Sequence, residues 1–368
     1  MSPKIRADVL RMTPYVPGKP IDEVKRELGL TDVVKLASNE NPLGPSPRAV
    51  EAVRQAASQL HLYPDASGHA LKEAVANRFG LPMNQVVLGN GSDELIHLLG
   101  LVYLEPGDNI VTGSPSFVRY DAAAGLSGAE HRRVPLDAEW RHDLGRMLEA
   151  CDDHTKLVFI ANPHNPTGTV LAHAEVAEFC RQLPASAMLV LDEAYFEFGQ
   201  DVDDPVRSVD LLKSGANVSV LRTFSKAYGL AGIRIGFGLV PADLADAMDR
   251  AREPFNVNSL AQSAAIAALG DSEFLHQSVE SNKAGILRIE NQMAEWGFPT
   301  VPSRANFICI DVKRPGQDVF QELLKLGVIV RSGGPLGMPG HIRVSIGTSE
   351  EIEVFLRAFA QVVLGAGV

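Results

Sequence analysis

Cysteine is scarce in this sequence: Cys151, Cys180 and Cys309 are the only ones among 368 residues. An odd number of widely separated cysteines fits neither a disulfide framework nor the close pairs of a metal site. We therefore expect three free thiols in a reducing compartment, as is usual for cytosolic proteins.

Long apolar runs and an excess of basic residues are missing as well. No uninterrupted apolar segment approaches the roughly 18 residues that span a membrane, and residues 1–8 carry charges where a signal peptide would be apolar. We expect a soluble, cytoplasmic protein without a membrane partner. The formal net charge of −11 argues against nucleic acid as a partner, since that needs a basic surface. An acidic protein can still bind a small anion through local arginines and backbone N–H groups.

The pattern of apolar residues predicts an α/β fold. Short, continuous apolar runs alternate with helical stretches, which is typical of parallel strands buried on both faces. We predict a mostly parallel central sheet with helices on both faces, and a smaller α+β domain. The predicted strands of the central sheet are residues 86–88, 109–112, 156–160, 188–191, 218–221 and 234–240. The predicted helices are residues 21–28, 47–60, 70–79 and a long stretch at 259–296.

The chain divides into three predicted parts. Residues 1–47 are rich in proline and glycine and form an arm that contributes to the small domain and to a dimer contact. Residues 48–255 form the large domain, and residues 256–368 form the small one. A chain of 368 residues, 45% of them hydrophobic, is long and apolar enough for two cores.

Lys226 stands in an unusual setting. Residues 221–234 surround it with hydroxyls, aromatic rings and glycines rather than with the charges of an exposed helix. A lysine in a dry pocket gives up its proton more easily and can form a Schiff base. Thr223, Ser225 and Arg234 offer hydrogen-bond donors to a phosphate. Together they predict an aldehyde-bearing, phosphorylated cofactor such as pyridoxal phosphate. The plain alternative is a glycine-rich loop with an exposed lysine.

A second stretch, residues 89–94, follows a predicted strand and begins a helix. Gly91 would let a ligand approach the backbone. Ser92 and Asp93 suit a helix start, where free N–H groups bind anions. The stretch lacks the third glycine of a dinucleotide-binding fingerprint. A phosphate site and a capped helix without a ligand are both consistent with it.

Two further strand ends carry polar side chains. Asn165 lies in a proline-rich turn, residues 162–168, where it either points at a ring hydroxyl of the cofactor or serves the turn alone. Asp192 ends a buried apolar strand, where burying an unpaired carboxylate costs free energy. A pyridinium nitrogen is a suitable partner for it. Tyr195 is placed to donate to the ring hydroxyl. The rival is a magnesium-binding Asp-Glu pair, but the phosphate-binding loop that such an enzyme needs is missing.

Three of these motifs resemble those of fold-type-I pyridoxal-phosphate aminotransferases in order and approximate spacing. They are residues 165–168 (NPTG), 192–195 (DEAY) and 225–234 (SKAYGLAGIR). More narrowly, the chain is similar over nearly its full length to the histidinol-phosphate aminotransferases. The supporting stretches are residues 35–42, 63–65, 115–117, 252–258 and 343–348.

The resemblance implies a set of cofactor contacts. Lys226 would carry the cofactor as a Schiff base and move protons, and Asp192 would pair with the pyridine nitrogen. Asn165 and Tyr195 would hold the ring oxygen, and Phe117 would stack on the ring where the family usually has tyrosine. The residues expected around the cofactor phosphate are Gly91, Ser92, Asp93, Thr223, Ser225 and Arg234.

The resemblance also implies substrate contacts and a homodimer. Tyr63 would reach the cofactor phosphate of the neighbouring subunit, or it is only a turn residue before Pro64. Arg343 would bind the substrate carboxylate, assisted by Arg331, with Asn165 beside it. Tyr15 would close over the substrate phosphate, or it simply anchors the arm.

The implied reaction moves the amino group of L-histidinol phosphate to 2-oxoglutarate, giving imidazole acetol phosphate and glutamate. Histidinol phosphate has no carboxylate, so its phosphate would use the arginine site that glutamate uses in the second half-reaction. An aminotransferase for phenylalanine or tyrosine and a threonine-phosphate decarboxylase stay open as alternatives. A regulator built on such a domain would need a fused helix-turn-helix, and residues 1–47 are too short and proline-rich to form one.

Overall fold

The computed structural model describes residues 4–12, 14, 18–199 and 208–365. Two sheets organise these residues, and a short pair of strands joins the arm to the second sheet's helices. The strands are β1 (Val34–Lys35), β2 (Val86–Gly89), β3 (Asn109–Ser114), β4 (Glu130–Pro135), β5 (Thr155–Ala161), β6 (Met188–Asp192), β7 (Val218–Thr223), β8 (Gly236–Leu239), β9 (Thr300–Val301), β10 (Phe307–Asp311), β11 (Val328–Ile329), β12 (Arg331–Ser332) and β13 (His341–Ser345).

Helices connect most of the strands. They are α1 (Ala7–Arg11), α2 (Ile21–Leu28), α3 (Pro47–Ala56), α4 (His69–Phe79), α5 (Ser92–Tyr103), α6 (Val118–Ser127), α7 (Leu144–Glu149), α8 (His173–Gln182), α9 (Ser208–Lys213), α10 (Ala242–Ala251), α11 (Ser259–Leu269), α12 (Ser272–Trp296), α13 (Gly316–Lys325) and α14 (Ser349–Phe359). Within the described ranges, none of them is both long and apolar enough to cross a bilayer.

The central sheet has seven strands in the order β2-β8-β7-β6-β5-β3-β4. Neighbours are parallel except at β8, which runs antiparallel to both β7 and β2. The predicted α/β fold with a mostly parallel sheet is therefore confirmed. The sequence did not predict β4, because Glu130–Pro135 is rich in charged residues. It lies at the edge of the sheet, where a strand needs less apolar cover.

Apolar side chains alternate between the two faces of this sheet, as the period of a strand requires. Along β6, Leu189 and Leu191 face a core shared with α3, α4, α8 and α11. Met188 and Val190 face the opposite core, shared with α5, α6 and α10. Both faces are therefore covered by helices, which explains why the strand sequences are apolar at nearly every position.

The second sheet is antiparallel, with the order β12-β13-β10-β9, and packs against α12, α13 and α14. The predicted long helical stretch is two helices, since Asp271 caps α12 after α11 ends. Alanines of α11 pack into the central-sheet core, whereas Ile286, Ile289 and Met293 of α12 pack into the second core. The division after residue 255 stays a prediction; this packing favours a later boundary, within α12.

Candidate active site

The carboxyl ends of the parallel strands meet at one edge of the central sheet. Asp192, the last residue of β6, is in register with Ala161 of β5 and Leu221 of β7. The reversed strand β8 begins at the same edge, because Gly236 is in register with Thr223 and with Gly89. Ligands bind beyond this edge in open α/β sheets. The register therefore gathers the segments that carry most of the predicted cofactor-site residues.

Lys226 follows β7 in the loop at this edge and is half-buried. Its Nζ atom donates a hydrogen bond of 3.4 Å to the carbonyl oxygen of Ser38. The same atom lies 5.7 Å from the centre of the Tyr195 ring. The amine is thus enclosed between the arm and the end of β6, where an aldehyde could reach it.

Asp192 is buried, and its carboxylate accepts hydrogen bonds from the Tyr120 hydroxyl at 2.8 Å and from the Ala194 N–H at 3.2 Å. Burial raises the pKa of Asp192 to about 6, against a smaller lowering by these two bonds. Neither donor is a cation, so within the described ranges the buried charge is only partly compensated. A protonated ring nitrogen would supply the missing positive charge. The site therefore fits a cofactor with a pyridinium ring.

Tyr120 is a site residue that the sequence analysis missed. It is fully buried on α6 and stacks on Phe159, with the ring centres 4.5 Å apart. Burial raises the pKa of its hydroxyl well above the usual value, so it stays a hydrogen-bond donor to Asp192. The one available signal was its position three residues after Phe117, since residues so spaced share a helix face.

A hydrogen-bonded bridge links the second sheet to the central one. Arg343 of β13 donates from Nη1 to Oδ1 of Asn165 at 2.9 Å, and Nδ2 of Asn165 donates to the Tyr195 hydroxyl at 3.4 Å. Asn39 of the arm donates to the same hydroxyl at 2.9 Å. Burial raises the pKa of Tyr195, so its hydroxyl keeps its proton for a further acceptor.

Asn39 was not predicted as a site residue, although it lies within residues 35–42, one of the stretches that carry the resemblance. It is buried with a left-handed backbone, φ 55°, and its amide oxygen accepts from the Ser345 hydroxyl at 2.8 Å. Asparagine tolerates this conformation better than most residues. Its contact with Tyr195 joins residues 156 positions apart, and no local pattern announces such a contact.

The residues expected around a phosphate form one cluster, which we call the cradle: Gly91, Ser92, Asp93, Ser225 and Arg234. Arg234 donates from Nη1 to the Ser225 hydroxyl at 3.4 Å, and its Nη2 lies 3.6 Å from the Asp93 carboxylate. Gly91 has φ +76°, and a Cβ atom there would stand 2.6 Å from Nη2 of Arg234. Ser92 and Asp93 begin α5, where N–H groups are free to bind an anion. The cradle therefore fits a phosphate.

Two of the residues predicted to surround the phosphate, Asp93 and Thr223, contact other residues of the cradle instead. The Asp93 carboxylate contacts Arg234, so it orients the guanidinium; a phosphate would meet the backbone N–H groups instead. The Thr223 hydroxyl donates to the Ser225 hydroxyl at 3.0 Å and accepts from the Ser225 N–H at 3.1 Å. Because Ser225 accepts from Thr223 and from Arg234, its own proton is left for a ligand.

Arg331 and Arg343, the residues predicted to bind substrate anions, lie on neighbouring strands. They are direct partners in the antiparallel pair of β12 and β13, so their side chains share one face of the sheet. Arg343 is buried, its Nη2 lies 3.4 Å from the Ala37 carbonyl oxygen, and its Cζ lies 4.9 Å from the centre of the Phe307 ring.

The predicted aromatic contacts have different surroundings. Phe117 precedes α6, is half-buried, and meets Tyr120 edge-on with ring centres 5.8 Å apart. Tyr63 is 82% exposed and stacks on Phe255 with the ring centres 4.7 Å apart. Within one subunit it therefore lies outside any enclosed site. Tyr15 lies outside the described residues.

The sheet with its reversed strand β8, and the lysine and aspartate at its edge, define a class of protein, the fold-type-I aminotransferases. Comparison with known proteins agrees. The family described as aminotransferase class I and II matches residues 31–359, and the chain belongs to this family.

Three individual proteins show what the chain is similar to within and beyond this family. A histidinol-phosphate aminotransferase of Moorella thermoacetica is 46% identical over 361 residues, which cover 98% of this chain and 93% of the relative. The solved structure of the histidinol-phosphate aminotransferase of Sinorhizobium meliloti in complex with pyridoxal-5'-phosphate is 30% identical, with a TM-score of 0.89 and 99% of both chains covered. A double mutant of the aspartate aminotransferase of Thermus thermophilus is 24% identical, with a TM-score of 0.85 over 98% of this chain and 100% of that chain. The last likeness concerns the fold alone, so the fold by itself does not select a substrate.

Proposed function

We propose that this protein transfers the amino group of L-histidinol phosphate to 2-oxoglutarate with pyridoxal phosphate as cofactor. The observation that carries the proposal is a pair of arginines on one face of the second sheet, Arg331 and Arg343, of which Arg343 is hydrogen-bonded through Asn165 to Tyr195 at the predicted cofactor site. The 46% identity to a histidinol-phosphate aminotransferase over 98% of the chain supports this substrate.

Pyridoxal phosphate, when bound, supplies an aldehyde that takes up the amino group and a ring that withdraws electrons from the reacting carbon. Lys226 would hold its aldehyde carbon and Asp192 its ring nitrogen. Tyr195 and Asn165 would donate to the ring oxygen, and the cradle would bind the phosphate. Phe117 would cover the ring. The partly compensated charge of Asp192 and the fit of Arg234 against Gly91 support these assignments.

Lys226 would act as the proton carrier of the reaction. Its amine at Nζ would accept the proton from the reacting substrate carbon as a general base and, as an acid, would deliver that proton to the carbon that carried the aldehyde. The Tyr195 ring and the arm carbonyl of Ser38 limit where this atom can move. Asp192 would remain ionised throughout, because a cation beside it lowers its pKa.

One arginine site would serve both substrates in turn. A guanidinium binds a carboxylate or a phosphate through the same planar pair of N–H donors. Arg343 is fixed by Asn165, while the half-buried Arg331 stands beside it on the same face. The phosphate of histidinol phosphate and a carboxylate of glutamate would therefore alternate at this pair.

A homodimer is part of the proposal. Tyr63 is too exposed to serve its own subunit's site, and its stack on Phe255 presents a rigid aromatic surface with a hydroxyl. We propose that it donates to the cofactor phosphate of the second subunit. The cytoplasmic location and the role of Tyr15 at the substrate phosphate stay predictions.

The first test is a single turnover of the cofactor-loaded enzyme with L-histidinol phosphate and no keto acid, followed by the absorbance of the cofactor. We expect rapid conversion to the aminated cofactor, and recovery when 2-oxoglutarate is added. Phenylalanine and threonine phosphate are run in parallel. A faster reaction with phenylalanine, or release of CO₂ from threonine phosphate with the aldehyde form restored, would contradict the proposed substrate. Arg343→Lys, which keeps the charge but not the planar fork, should slow both half-reactions.

A further inference from the structure

Two buried histidines lie behind the turn that carries Asn165. His142 and His164 are each at most 3% exposed, and their rings meet edge to face with centres 4.4 Å apart. Burial lowers the pKa of both, that of His142 to about 4, so both are neutral at physiological pH. Asp137 is the charged group that acts on His142, and the backbone of Ala161 also raises the pKa of that ring. His142 and the backbone of Pro115 act on His164.

His164 is tied to a short chain of hydroxyls. Its Nδ1 lies 2.7 Å from the Thr167 hydroxyl oxygen, which lies 2.8 Å from that of Thr169. The Thr169 hydroxyl oxygen in turn lies 2.8 Å from the carbonyl oxygen of Trp140. The Thr167 hydroxyl oxygen also lies 3.1 Å from that carbonyl oxygen, so four contacts within hydrogen-bond distance join these four groups.

These contacts close the turn through its side chains. At most three protons are available for them, because each hydroxyl has one, the ring nitrogen has at most one and the carbonyl has none. Nδ1 of His164 is hydrogen-bonded to Thr167 whichever of the two carries the proton.

The same turn is closed by its backbone around His164. The His164 N–H donates to the Thr169 carbonyl at 2.8 Å, and the Gly168 N–H donates to the His164 carbonyl at 2.7 Å. Asn165 lies inside this closed turn, next to His164. Its amide reaches Arg343 on one side and Tyr195 on the other, so its orientation sets the distance between the two.

We propose that His164 is a positioning residue: through the hydrogen bond between its Nδ1 and the Thr167 hydroxyl, it holds the turn in the conformation in which Asn165 bridges Arg343 and Tyr195. This inference rests on the proposed function for the roles of Asn165, Arg343 and Tyr195. The hydrogen bond between His164 and Thr167 does not.

The test compares two replacements of one side chain. His164→Asn keeps a hydrogen-bonding group at the position of Nδ1, whereas His164→Leu keeps much of the volume and removes that group. We expect kcat/KM of His164→Asn to stay within about twofold of the parent and that of His164→Leu to fall roughly tenfold, as for a lost buried hydrogen bond. Thr167→Val should fall equally, and the double variant no further. His154→Leu, at an exposed histidine, is the matched control.

Two readouts separate positioning from a general loss of structure. The pH midpoint of the bound cofactor's absorbance should rise in His164→Leu and not in His164→Asn, because a displaced Asn165 no longer donates to the ring oxygen. Nitrogen NMR of histidine-labelled full-length protein, with His164 assigned from the His164→Asn spectrum, should show an Nδ1 signal of His164 that shifts in Thr167→Val, whatever the substrate is. An Nδ1 signal that Thr167→Val leaves unchanged, or equal loss in both variants, would overturn the proposal. If His164→Leu does not fold, Thr167→Val and the NMR result decide the question.

Discussion

Replacing Asp192 with asparagine should stabilise the cofactor-free protein while weakening its hold on the cofactor. Raising the pKa of the Asp192 carboxyl from 3.8 to about 6 costs the folded, cofactor-free state about 3 kcal/mol at pH 7. The sign follows from linkage: below pH 3.8 both states are protonated and there is no cost, and above pH 6 the cost is complete. Asparagine removes the charge. Its amide oxygen can take the place of Oδ1 and accept from the Ala194 N–H, while its NH₂ group takes the place of Oδ2 and donates to the Tyr120 hydroxyl oxygen.

The assay is thermal unfolding of cofactor-free protein at several pH values. For a chain of 368 residues, 3 kcal/mol corresponds to a rise in Tm of about 4 °C at pH 7, and we expect almost no rise at pH 4. Asp153→Asn, at an exposed carboxylate, should leave Tm unchanged and serves as the control. A lower Tm for Asp192→Asn at pH 7, or a rise that does not depend on pH, would refute the assignment of a buried, uncompensated charge.

Bound cofactor should reverse the order of the two Tm values, so that the parent protein becomes the more stable one. A cationic ring beside Asp192 offsets the cost of burying the carboxylate, so binding should raise the Tm of the parent protein more than that of Asp192→Asn. Equal stabilisation of both proteins by pyridoxal phosphate would mean that this carboxylate does not contact the ring nitrogen.

Three further substitutions test the rest of the site. Lys226→Ala should abolish turnover and leave no cofactor attached after borohydride reduction; full turnover would refute its role. Gly91→Ala should weaken cofactor binding at least tenfold, because its Cβ would meet the arginine of the cradle. Gly29→Ala has a similar positive φ with nothing within 4 Å, so equal weakening there would point to backbone strain alone. Tyr120→Phe removes a hydrogen bond that lowers the pKa of Asp192 in the cofactor-free protein, so the affinity for pyridoxal phosphate should fall more at pH 6 than at pH 8; a loss of affinity independent of pH would contradict this.

Local sequence was sufficient where one segment supplied both the structure and the chemistry. Apolar runs predicted the strands of the central sheet, and polar residues at their carboxyl ends predicted Lys226, Asp192, Asn165 and Arg234 as neighbours. This works because parallel strands place their carboxyl ends at one edge, whatever their order in the sheet. The charged edge strand β4 was not predicted in this way, since an edge strand is less buried and needs fewer apolar residues.

The sequence by itself determined the class of fold, the strand ends and the residue types that could hold a phosphorylated aldehyde. Only the tertiary structure decided which side chains hold those residues in place. Tyr120 reaches Asp192 across 72 positions, and Asn39 reaches Tyr195 across 156. Such contacts depend on how helices and sheets pack, and a pair of distant residues carries no periodic signal. The hydrogen bonds of His164, Thr167 and Thr169 likewise end at the Trp140 carbonyl oxygen, which only the fold brings within reach of them.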